Sequence, residues 1–193
     1  MRRALPILLL LAGCSAAPAL PPDREAELAS RSTDLANAFQ SELQAALTSA
    51  LASGGPAAAI EVCAQAAPAI AERLSAESGA HVRRTALKPR NPTAKPDAFE
   101  RETMTAWRAQ PLDAAGKPMV RSAAVSTDTG PAFRWMRAIP TQGMCLTCHG
   151  ERIEPDVAAA ISARYPDDKA TGFREGQLRG ALSIRWTGDA LRG

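Results

Sequence analysis

The chain has 193 residues, 23 of them Lys or Arg and 20 Asp or Glu, for a net charge of +3. Arg2 and Arg3 supply two of those three charges and precede a segment read below as a cleaved signal, so the mature chain is close to neutral and offers no electrostatic footprint for nucleic acid. Aromatic residues make up only 4% and alanine is abundant, a composition that suits helices packed on a sheet.

Met1-Arg2-Arg3 is a positive leader, and Ala4 to Leu11 is an apolar run too short to span a bilayer. Leu11-Ala12-Gly13-Cys14 has the form of a bacterial lipobox. Residues 1–13 are therefore expected to be a lipoprotein signal peptide, leaving Cys14 as a lipidated N-terminus. An ordinary cleaved signal ending near Ala16-Ala17 is the alternative. Ser15 after the lipidated cysteine fits sorting to the outer membrane. Residues 14–24 read as an Ala/Pro tether, and residues 25–193 as one domain.

Asp23 opens a long helix with Leu28, Leu35, Phe39, Leu43, Leu47 and Leu51 along one stripe. Gly54-Gly55 ends it, and Pro56 opens a second helix to Ser78, with Gly79 as its stop. Ile60, Cys63, Ala67, Ile70 and Leu74 share one face of that second helix, and Pro68 predicts a kink. From spacing alone Cys63 is either a small core residue or a ligand.

His81 to Lys88 lacks a helical period and reads as a strand with Arg83 and Arg84 on opposite faces. A proline-punctuated loop follows, through Pro89-Arg90-Asn91-Pro92, and Asp97 caps a helix bearing Phe99, Met104 and Trp107. Arg84, Arg90 and Asn91 are candidates for binding carboxylates, with a solvated basic strand and loop as the plain alternative. Met119 to Ser126 and Ala132 to Ile139 alternate as strands around a loop at Thr127 to Pro131. Pro155 opens a short helix to Tyr165, and a last strand runs from Arg179 to Thr187 with Leu182, Ile184 and Trp186 on one face. These elements predict an α+β fold, an antiparallel sheet of four to five strands behind long N-terminal helices.

Between the third strand and the short helix lies Cys145-Leu146-Thr147-Cys148-His149-Gly150. C-x-x-C-H is the attachment motif of c-type haem: the two thiols add across the porphyrin vinyl groups and the histidine becomes an iron ligand. A redox dithiol should follow a strand and open a helix in a βαβ unit, yet this motif follows the loop Pro140 to Gly143. A zinc site needs further Cys or His ligands, and Cys63 and His81 lie more than sixty residues away. With Cys14 assigned to lipid and Cys145 and Cys148 to one covalent haem c, Cys63 has no disulfide partner in an oxidising compartment. Met104, Met119, Met136 and His81 are the competing candidates for the sixth iron position.

The mature chain resembles the mono-haem, PAS-like c-type haem domains long classed as a domain of unknown function, found alone in the periplasm or at the sensory end of bacterial histidine kinases. The matching residues are Glu61-Val62-Cys63, Val82 to Lys88, Arg90-Asn91-Pro92 with Pro96-Asp97 and Glu100, the haem motif, and Tyr165-Pro166 to Phe173 with Gly176, Arg179 and Gly180. The resemblance implies iron held by His149 and Cys63. Ala86 stands where the family has serine, and Ala94 where it has asparagine, which implies a thinner polar shell.

Two function classes follow. One is a membrane-anchored periplasmic electron carrier or redox-responsive haem centre with a periplasmic redox partner. The other is a haem-based sensor or small-ligand module signalling through a partner protein. Catalysis is not expected, because Cys63 would fill the position that a substrate needs. The expected mature N-terminus is Cys14 carrying a diacylglycerol, checked by intact-mass analysis of membrane-extracted protein; a soluble form starting at Ala17 or later would overturn it.

Overall fold

The computed structural model describes residues 20–193, so the expected signal and the lipid-bearing Cys14 lie outside the described residues, as does most of the tether. Helix α1, Pro22–Ser78, opens with Pro22 at its first turn and Asp23 and Glu25 beside it, where proline costs no hydrogen bond and acidic groups favour the positive end of the helix. Gly55 breaks it, with φ 67° and ψ −167°. That combination is open essentially to glycine alone, and Pro56 immediately restarts the helix. The arms 22–54 and 56–78 share one core through Leu28, Ala36, Phe39, Ile70 and Leu74, and Arg73 of the second arm holds Glu42 of the first at 2.6 Å.

The kink expected at Pro68 is corrected: within α1 only Gly55 leaves helical dihedrals. Ala67, Ile70 and Ala71, flanking Pro68, lie against the sheet core and carry the arm through the missing hydrogen bond. Gly79 then closes the helix in the left-handed conformation, its N–H bonding the Ser75 carbonyl at 3.0 Å.

Four strands follow, β1 His81–Thr85, β2 Val120–Thr127, β3 Gly130–Pro140 and β4 Leu178–Thr187. They form one antiparallel sheet in the order β1-β4-β3-β2, as the strand readings predict. Strands β2 and β3 reach further into the expected loop than the sequence indicates, pairing Thr127 with Gly130 and leaving only Asp128 and Thr129 between them.

Alternation sorts the two faces. Val82, Phe133, Trp135, Leu182, Ile184 and Trp186 meet α1. Met136, Ala138 and Ala181 meet Met104 and Trp107 of α2, Ala98–Trp107. Helix α2 is fixed by a capping box in which Asp97 accepts from the Glu100 N–H and the Glu100 carboxylate accepts from the Asp97 N–H. A turn of helix α3, Leu146–His149, and helix α4, Pro155–Arg164, lie between β3 and β4, and a last short helix, α5, Gly188–Arg192, ends the chain. Val157 and Ile161 of α4 pack on Ile60 of α1. Among the described residues no helix is long and apolar enough to cross a membrane.

The α1–sheet contact is pinned at one polar point. The Trp186 indole N–H donates to Ser32 Oγ at 2.9 Å, and that hydroxyl donates to the Leu28 carbonyl at 2.7 Å, with both side chains fully buried. Ser32→Ala leaves the indole N–H without a partner and is expected to cost about 1–3 kcal/mol. Chemical denaturation checks this through a lowered midpoint at unchanged slope.

Candidate functional site

The motif is presented by a tight run of backbone. After β3, the N–H of Thr141 bonds the Gln177 carbonyl at 2.8 Å while its own carbonyl accepts from Gly176 at 2.8 Å. A 3-10 turn, Gly143–Cys145, then feeds directly into α3. Cys145 and Cys148 stand three residues apart on this helical run, so both sulfurs share a side of it, and His149 follows. Gly150 cannot carry a side chain: a Cβ there would lie 2.5 Å from the Leu146 carbonyl oxygen.

His149 is held from behind. Its Nδ1 lies 2.6 Å from the Ala170 carbonyl oxygen, which can only accept, so Nδ1 carries the proton and Nε2 is the free electron pair. The Phe173 N–H bonds the His149 carbonyl at 3.0 Å and the Gly172 N–H bonds the Gly150 carbonyl at 2.9 Å, stitching the motif to residues 170–173. Burial, reinforced by Arg179 and Arg90, pushes the imidazole pKa down to about 2, which keeps the ring neutral and able to ligate. The Phe173 ring meets it edge-on at 6.5 Å.

A cavity of about 550 Å³ opens between α1, the sheet and the motif, bordered by Cys63, Cys145, Cys148, His149, Arg84 and Arg179. Leu43, Leu47, Leu51 and Ile60 of α1 give it an apolar wall. Cys63 faces it from the second arm. Burial pushes its thiol pKa up, partly offset by the positive charges of Arg84 and Arg90. Cys63, Cys145 and Cys148 are free thiols.

Two cationic heads, Arg84 and Arg179, border this cavity with no ion pair of their own, and Asp168 only partly offsets Arg179. Arg83 donates to the Thr93 and Lys95 carbonyls and approaches Glu100 at 3.7 Å. Arg84, opposite Leu182 on the α1 face, has no hydrogen-bond or ion-pair partner among the described residues. Arg179 is the unpaired residue of a bulge, because Ile139 pairs with Gly180 and Pro140 with Leu178. Simple alternation would send Arg179 to the α2 face with Ala181; the bulge re-aims it. Its Nε has no partner, and one guanidinium nitrogen lies 3.5 Å from the Lys88 carbonyl. Its guanidinium also stands 5.3 Å from the Phe173 ring centre. Burial and repulsion from Arg84 and Arg90 lower its pKa to about 9. Buried cations this close call for anionic partners.

The residues fit the cofactor expected from the sequence. Two thiols lie at the attachment spacing, one imidazole and one further sulfur border the same cavity, and the guanidiniums of Arg84, which has no partner, and Arg179, whose Nε has none, suit the carboxylates of a porphyrin. Zinc fits less well: among the described residues no group of three His, Cys, Asp or Glu is placed to hold a metal ion.

A family model described as Tll0287-like matches residues 22–187. The chain belongs to the Tll0287-like family. Among solved structures, the crystal structure of the cyanobacterial heme-protein Tll0287 matches with 24% identity and a TM-score of 0.58, over 86% of this chain and 95% of that one. That likeness establishes the shared fold. No curated protein sequence matches the chain.

In this Tll0287-like chain the remaining candidates separate clearly. Met104 and Met136 are buried on the α2 face of the sheet, and Met119 packs there too, away from the motif. His81 stands at the cavity rim, but it shares a face of β1 with Arg83, and the charges acting on it are those of Arg185, Arg83, Glu100 and Arg134. Arg90 and Asn91 also border the cavity. The Asn91 side-chain oxygen accepts from the Thr93 N–H and hydroxyl, shaping the 3-10 turn Pro92–Ala94. Arg90 is committed to the Cys148 carbonyl at 2.5 Å and Asp168 at 3.0 Å.

The sequence reading gave no role to Arg179, Asp168 or the Ala170 carbonyl as site residues. Their place in the family pattern, and for Arg179 an arginine beside the apolar run of β4, were the available signals. Ala86 and Ala94, the two departures from the family pattern, are neighbours: the Ala86 N–H bonds the Ala94 carbonyl at 3.0 Å, and both border the cavity. Gly150→Ala is expected to displace the Leu146 carbonyl and destabilise the protein by about 1–3 kcal/mol. Thermal melting checks this through a lowered Tm.

Proposed function

We propose that this Tll0287-like protein is a membrane-anchored, periplasmic c-type haem protein with one covalent haem, acting as a one-electron carrier or redox-responsive centre. The observation that carries the reading is the motif turn itself, with His149 tethered through Nδ1 to Ala170 and Cys63 bordering the same cavity. The heme-protein Tll0287, similar in fold, supports it. An iron porphyrin supplies reversible one-electron chemistry at such a site.

The chain's own residues do the rest. Cys145 and Cys148 fix the group through thioethers on one helical turn. His149 presents Nε2, because its other nitrogen is committed to Ala170. Cys63 offers an anionic sulfur from α1, which favours the oxidised metal and a low potential. Arg84 and Arg179 neutralise the two carboxylates and are themselves relieved of mutual repulsion. The apolar α1 wall excludes water, which strengthens each of these charges. Cys14 would hold the domain to the outer membrane through its lipid, within reach of a periplasmic redox partner.

A second reading, a sensor reporting through a partner protein, draws on Cys63 as well. Its apolar surroundings disfavour charged sulfur, so Cys63 would hold a reduced metal less well than an oxidised one and would leave room there for a small ligand. The two readings share one test. In protein matured with the attachment machinery, haem should remain with the chain through acid-acetone extraction, and Cys63→Ser should change the ferric spectrum while His81→Ala does not. Complete extraction of haem from the wild type would end the reading.

A further inference from the structure

Behind the motif lies a buried ion pair that the cavity does not require. Arg90, on the loop after β1, and Asp168, on the segment before Ala170, meet at 3.0 Å with side chains 12% and 8% exposed. The same Arg90 nitrogen donates to the Cys148 carbonyl at 2.5 Å. The other Asp168 oxygen accepts the Ala170 N–H at 2.8 Å, and the carbonyl of Ala170 in turn holds His149 Nδ1. The pair thus touches the backbone of the motif on one side and the support of its histidine on the other.

As a staple the pair is redundant. Lys169 N–H already bonds the Pro89 carbonyl at 3.2 Å, and Gly172 and Phe173 bond the carbonyls of Gly150 and His149. A buried ion pair recovers its desolvation cost poorly, so one that adds no needed connection points to a role for its charges. Those charges are well placed: the positive charge of Arg90 acts on Cys63, Cys148 and His149, alongside Arg84 at the first and Arg179 at the last, and Asp168 is the carboxylate paired with it. Buried to this degree, the two charges are screened less than charges at the surface.

We infer that Arg90 and Asp168 are positioning residues that set the reduction potential of the centre, Arg90 raising it and Asp168 lowering it, through the motif backbone and the His149 support. The inference rests on the haem reading above. Outer-shell partners of metal-binding histidines act in this way in general, by fixing the ring and by adding fixed charge.

The test is a spectroelectrochemical titration of holoprotein. Asp168→Asn keeps an acceptor for the Ala170 N–H but removes the negative charge, and its midpoint should shift upward. Arg90→Gln removes the positive charge and should shift it downward. The double variant should return toward the wild type, and Arg90→Lys, which keeps the charge on a different head group, should stay near it. A merely structural pair would give shifts of one sign, and that result, or unchanged potentials in all variants, overturns the inference. Should Arg90→Gln fail to fold, the comparison of Asp168→Asn with Arg90→Lys decides the matter alone, an upward shift in the former only being the supporting result. Absence of covalent haem from the wild type would instead overturn the functional reading beneath it.

Discussion

One hydrogen bond organises this site, from His149 Nδ1 to the Ala170 carbonyl at 2.6 Å. It chooses the tautomer, fixes the ring plane and leaves the other nitrogen as a base, three conditions that a ligating histidine must meet together. The bond depends on parts far apart in sequence. Ala170 is held by Asp168 through its N–H, and the next residues run beside the motif as a short parallel bridge between Gly150 and Phe173. The absence of a side chain at Gly150 lets the chain leave the motif past the Leu146 carbonyl. A loop with no regular structure of its own thereby becomes the rigid back wall of the site.

The front wall is a matter of packing. Broken at Gly55, α1 folds back so that both arms cover one face of the sheet, and Cys63 rides on the second arm at the level of the motif. The Trp186 to Ser32 bond fixes how the first arm meets β4. Phe39 joins both arms to the sheet core and also borders the cavity, so the cavity is a continuation of the core in which apolar filling stops and sulfur, imidazole and guanidinium groups begin. Such an arrangement makes a pre-formed pocket with a largely apolar wall, where charges act more strongly than at an open surface.

The electrostatics of the site are one-sided. Arg84, Arg90 and Arg179 lie within reach of one another, and only Arg90 has a carboxylate, Asp168, beside it. Burial lowers the affinity of Arg84 and Arg179 for their protons, the signature of cations kept out of water without compensation. This excess is tolerable only if anionic groups complete it, and the two carboxylates of a porphyrin match the number and character of the unpartnered heads. The opposite face of the sheet is balanced differently: there Arg134 is paired with Asp97 at 2.7 Å and lies near a buried Glu100, although its Nε has no partner.

Much of this was legible in the chain. The C-x-x-C-H spacing reads as an attachment motif because two thiols must reach two vinyl groups on one edge of a porphyrin, which few other spacings allow. Gly54-Gly55 and Pro56 specify a helix break, since no other residues satisfy that backbone so readily, and period-two alternation in β3 and β4 assigns Trp135, Ile184 and Trp186 to one face because a strand can do nothing else. What the tertiary structure decided is everything that depends on which segments meet. Alternation alone would place Arg179 on the wrong face, and only the bulge opposite Ile139 and Pro140 turns it into the cavity. Sequence reasoning offered Arg90 and Asn91 either as binders of the cofactor's carboxylates or as plain loop residues; only the fold shows Arg90 engaged with the Cys148 carbonyl and Asn91 bonded within a turn. The choice between Cys63, His81 and three methionines was likewise open in one dimension. What the fold adds is position: the methionines lie on the far face of the sheet, while Cys63 borders the cavity from α1 and His81 from the face of β1 that carries Arg83, because side-chain direction is set by strand parity and helix packing, neither of which a spacing of more than sixty residues can encode.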